Sequence, residues 1–120
     1  MRNRIPLYAH VDTSRPHGNP RPLTNHTYPE KLRVHRVPFN ETHLVTIYLH
    51  NTHNTATIKV LGDLGRATDV LVAEVPPNST IPLGPFLLSS TDRRRARLFL
   101  GAVTNASNLL VSGHAQKQEW

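Results

Sequence analysis

Residues 44–50, LVTIYLH, decide the fold. They alternate Val45, Ile47 and Leu49 with Thr46, Tyr48 and His50, the two-residue period of a strand that buries one face. The turn NTHNT follows at 51–55. Residues 56–61 then repeat the alternation, setting Ala56, Ile58 and Val60 against Thr57, Lys59 and Leu61.

Working outward, the same grammar recurs. The linker GDLGRAT leads into DVLVAEV at 69–75, and the turn PPNST leads into IPLGPFLLS at 81–89. RLFLGAV at 97–103 and NLLVSGH at 108–114 are separated by the turn TNAS. Pro82 and Pro85 cannot donate to a ladder, so 81–89 is expected at a sheet edge or across a bulge. SSTDRRRAR at 89–97 has no apolar stripe of helical period and is assigned to a loop. Short strands with regular turn signals give an all-β chain, a small antiparallel β-sandwich or barrel.

The first 41 residues differ in kind. They hold six of the ten prolines and seven basic residues against three acidic ones, a net +4 out of the chain's +6. The segment SRPHGNPRPLT at 14–24 cannot propagate a helix and offers few sheet donors. The expected organisation is therefore a long extended N-terminal arm, 1–41, followed by a β-sandwich domain, 42–120. Apolar stretches interrupt the arm at 5–11 (IPLYAHV) and 32–39 (LRVHRVPF). In the second, Leu32, Val34 and Arg36 alternate with Arg33, His35 and Val37, as a strand would. An arm of this composition is suited to lie along an acidic surface. Its candidate partner-binding residues are the basic Arg2, Arg4, Arg15, Arg21, Arg33 and Arg36, with Ile5, Leu7, Tyr8, Leu32, Val34 and Phe39 as apolar anchors.

Several chemistries find no footing. There is no cysteine, hence neither a disulfide nor a thiolate metal site. The serines lie in no GxSxG elbow, and GDLG at 62–65 lacks the ending of a phosphate loop. His50 and His53 have HxxH spacing with His43 nearby, but His43 and His50 fall on opposite strand faces. No acidic residue lies between 43 and 53 to complete a ligand set. The expectation is no enzyme, no cofactor and no metal. Buried histidines could still make a pH-sensitive contact. The basic cluster at 92–97 has no interleaved aromatics, so nucleic acid is disfavoured as the main partner. No apolar run approaches the length of a membrane span, and the start MRNRIPLYAH lacks a signal-peptide core. Four Asn-x-Ser/Thr triplets start at Asn25, Asn40, Asn78 and Asn105; turn chemistry accounts for Asn78 and Asn105.

The series VTIYLHNTHNTATIKVL (45–61), VAEVPPNSTIPLGPFLLSS (72–90) and RLFLGAVTNASNLLVSGHAQ (97–116) resembles small all-β virion proteins of tailed bacteriophages. The resemblance spans 44–115, about sixty per cent of the chain. It is one of pattern, and no functional residue carries over from it. It implies a non-enzymatic capsid decoration or cement protein, made in the host cytoplasm and placed on the capsid surface. Such a protein would form a homo-oligomer, a trimer being the working expectation, against the major capsid protein or another virion protein. The alternatives are a head–tail joining or tail ring protein, and a soluble glycan- or nucleic-acid-binding module.

Overall fold

The computed structural model describes residues 3–5, 7, 21–24, 26–64, 71–91 and 96–118, with the side chains of 3–5 and 21 left aside. Among the described residues, nine strands form two antiparallel sheets. They are β1 (Asn3–Ile5), β2 (Arg21–Pro22), β3 (Leu32–Arg36), β4 (Thr42–Asn51), β5 (Ile58–Asp63), β6 (Leu71–Val75), β7 (Thr80–Ser89), β8 (Arg97–Ala102) and β9 (Leu109–Lys117). The five-stranded sheet runs β1-β9-β4-β7, with β2 also on β9; the four-stranded sheet runs β3-β8-β5-β6. From β6 onward each strand crosses to the other sheet, which makes the architecture a β-sandwich.

Alternation in β4 is as the sequence requires. Val45, Ile47 and Leu49 are fully buried, each contributing roughly 1.5–3 kcal/mol of burial. Ile58 and Val60 of β5 and Leu98, Leu100 and Ala102 of β8 close the core from the other sheet. Strand β7 lies at a sheet edge, as its prolines demand. Its register against β4 shifts between Val45 and Ile47, where Gly84 and Pro85 together oppose Thr46. Asn40, Asn78 and Asn105 all take the left-handed conformation, at φ 63°, 52° and 51°. Asparagine tolerates that region better than other residues with a Cβ.

The described parts of 1–41 differ from the expected extended arm. β3 is a full strand of the four-stranded sheet, in register with β8, while β1 and β2 both add to β9. Leu7, Leu23, Val34 and Val37 are completely buried and Leu32 nearly so, all within the chain's own core. The Leu23 N–H donates to the Leu109 carbonyl at 3.0 Å, and the Val37 N–H to that of Ala96 at 3.0 Å. The described parts of 1–41 therefore belong to the sandwich rather than to a separate arm. The physical reason is area: a domain of some eighty residues buries too little on its own, and these side chains cover its open core.

Candidate functional site

Of the twelve residues expected to grip a partner, six have described side chains, and the fold scatters these. Arg2, Tyr8 and Arg15 lie outside the described residues, as do the side chains of Arg4, Ile5 and Arg21. Leu7, Leu32 and Val34 are interior and cannot anchor another molecule, which corrects that expectation. Arg33 is half-buried, while Arg36 and Phe39 are exposed. Of the basic cluster, 92–95 lies outside the described residues, and Arg97 opens β8.

What the fold does assemble is a buried histidine pair. The β3–β8 register shifts between Arg33 and His35, so Val34 and His35 both turn inward. Simple alternation had placed His35 beside Arg33 on the other face. The bulge instead delivers the ring across the sandwich to His43 on β4. His35 Nε2 and His43 Nδ1 are 2.9 Å apart, and His43 Nε2 is 2.9 Å from Glu41 Oε1. The two rings are 2% and 1% exposed. With both rings neutral, His43 Nε2–H donates to the carboxylate and His35 Nε2–H donates to the bare His43 Nδ1. Burial, and secondarily the neighbouring His43, lower the His35 pKa from 6.5 to about 4. Sequence reasoning weighed His43 only with His50 and His53; Glu41, two residues upstream, was the missed signal.

His50 and His53 serve local structure. His53 Nδ1 accepts from the backbone N–H groups of Thr55 and Ala56 at 3.1 and 3.0 Å, closing the β4–β5 turn. His50 bonds Thr80 across to β7 on the outer face. No group of three or more potential metal ligands occurs among the described residues.

Among the described side chains, the two outer faces of the sandwich differ in charge. On the five-stranded sheet, the outward positions are Leu44, Thr46, Tyr48 and His50 of β4, flanked by Thr80, Pro82, Leu87 and Ser89 of β7. β9 adds Leu110, Ser112, His114 and Gln116. None is Asp, Glu, Lys or Arg, and Leu87 and Tyr48 are 59% and 39% exposed. On the four-stranded sheet, register places Arg33 opposite Phe99 and Arg36 opposite Arg97, with Lys59 opposite Glu74 and Asp63 beside Phe99. Backbone of His26 and Glu30 packs over Gly101, which leaves no room for a Cβ there. The same chain carries Lys31 over the Phe99 ring to pair with Asp63.

Comparison with protein-family models, with curated proteins and with solved structures finds no match to this chain. Among the described residues, no helix is long and apolar enough to cross a membrane.

Proposed function

We propose that the chain is a non-enzymatic structural protein of a virion head, of the capsid decoration or cement kind, acting as a homo-oligomer. The observation that carries this reading is the outer face of β4, β7 and β9, where no described side chain is charged and Leu87 and Tyr48 stand out. A contiguous face of that kind marks a protein contact. Its occupant is a second copy of the same chain. Copies carrying +6 each repel one another, and the described side chains of β4, β7 and β9 add no charge to that repulsion on this face. The small core and the absence of cysteines make such an association a source of stability by mass action. The sequence resemblance to phage virion proteins supports the same class.

Sedimentation of the purified chain tests the association. An oligomer is expected, and Leu87→Lys with Tyr48→Glu should convert it to monomer. Purified heads incubated with the chain should carry it over their surface; restriction to a single ring would point to a joining or tail ring protein instead. A monomeric wild-type chain that leaves heads bare would overturn the reading.

A further inference from the structure

We propose that the outer face of the four-stranded sheet, at its β3–β8 corner, docks an acidic protein surface through Arg36 and Arg97. This rests on the assembly reading and names the chemistry of the second partner. Its starting point is a juxtaposition the register enforces. Arg36 and Arg97 are direct cross-strand neighbours on the outer face, and like charges so placed repel. Among the described residues no carboxylate pairs with either. Elsewhere on the face the charges balance: Asp63 holds Lys31, and Glu74 stands opposite Lys59. Among the described residues of this face, the positive charge without a carboxylate partner is thus that of Arg36 and Arg97 at one corner. A fold that keeps two unneutralised arginines side by side gains from an external anion able to bridge them. The planar fork of each guanidinium matches a carboxylate in two hydrogen bonds.

The choice between an acidic protein and a nucleic acid turns on Phe99. A single-strand binder uses its aromatic ring as an open stacking platform. Here the ring already carries Lys31 Nζ at 5.8 Å and Arg33 Cζ at 6.0 Å from its centroid. The same face also presents half-buried Leu61 and exposed Val72, level with Gly101 and further from the corner. Arginines grouped with an aromatic ring, as Arg33, Arg36 and Arg97 are with Phe99, are a composition enriched in protein–protein interfaces. A copy bound to its neighbours through the five-stranded sheet leaves this opposite face open.

The test measures fluorescence anisotropy of labelled poly-L-glutamate with the full chain, in parallel with a labelled single-stranded oligothymidylate. Wild type should bind poly-L-glutamate, more weakly as salt rises. Arg36→Glu with Arg97→Glu should weaken that binding by about tenfold or more. Arg36→Lys with Arg97→Lys keeps the charge but loses the forks, and should weaken it several-fold. Lys117→Glu, on the other sheet, should leave it within about twofold. Both arginines point outward, so circular dichroism should show an intact fold in each variant. Poly-L-glutamate binding that survives the double reversal overturns the proposal. So does oligothymidylate binding that is tighter and more sensitive to that reversal, which would assign the corner to nucleic acid. Sedimentation of the same samples separates the two readings. The double reversal keeps the wild-type oligomer if only the docking proposal fails, whereas a monomeric wild type removes the assembly reading beneath it.

Discussion

His35 on β3 and His43 on β4 meet at 2.9 Å across the interior of the sandwich, one histidine contributed by each sheet. The contact ties the leading third of the chain to the central strand of the opposite sheet. Only one proton fits between the facing nitrogens, so the pair tolerates neutrality and resists full protonation.

The consequence is a pH dependence of known sign. His35 titrates near 6.5 when unfolded and near 4 when folded. Below pH 6.5 the unfolded chain takes up a proton that the folded chain refuses. The stability held in neutral His35 is therefore complete above 6.5, falls as pH drops, and is fully lost below about 4. Denaturant unfolding at pH 7 and pH 5 should differ by about 2 kcal/mol from this group. His35→Leu should flatten that difference, and an unchanged slope would detach the effect from the pair.

Asn51 is completely buried, and its amide is fully used. Nδ2 donates to the carbonyls of Ala56 and Val75 at 2.8 and 2.9 Å, while Oδ1 accepts from the His53 N–H at 2.8 Å. It fastens the β4–β5 turn to the end of β6. Asn51→Asp would face a carboxylate with two carbonyl oxygens and should cost at least about 3 kcal/mol in chemical denaturation.

Gly113 sits in β9 at φ 140°, and a Cβ there would lie 2.1 Å from the Thr46 carbonyl oxygen on β4. Strand β4 is central and cannot recede. Gly113→Ala should lower stability by roughly 2–4 kcal/mol, visible as a shifted denaturation midpoint.

Leu87 and Leu88 are sequence neighbours on opposite faces of β7, 59% and 5% exposed. Leu88→Ala should cost about 2–5 kcal/mol. Leu87→Lys should leave the stability of the monomeric fold within about 0.5 kcal/mol while opposing self-association. Equal stability losses from the two would mean that the β7 register is misplaced.

Much of this architecture was legible in the residues. The alternation of Val45, Ile47 and Leu49, the prolines that send β7 to an edge, and the asparagines at 78 and 105 each carry a local rule that tertiary context left standing. The strand at 32–36 was legible too, but not its role. Leu32 and Val34 look alike whether they cover their own core or another protein's, because hydrophobicity states that a residue will be buried, not by what. The histidine pair was hidden for a different reason. One bulge between Arg33 and His35 reverses the face of His35, and nothing in LRVHR marks where a ladder will slip. The arginine corner emerges only from register, since Arg36 and Arg97 are far apart in the chain and adjacent in the sheet.

The claim beneath all of this is that the described parts of the leading third fold into the sandwich. Leu23 tests it most directly, being fully buried and bonded through its backbone to Leu109 while lying in the proline-rich stretch. Equilibrium unfolding of Leu23→Ala should show a loss of roughly 2–5 kcal/mol in a single cooperative transition. A variant as stable as wild type within about 0.5 kcal/mol would contradict the account, placing that stretch outside the folded core.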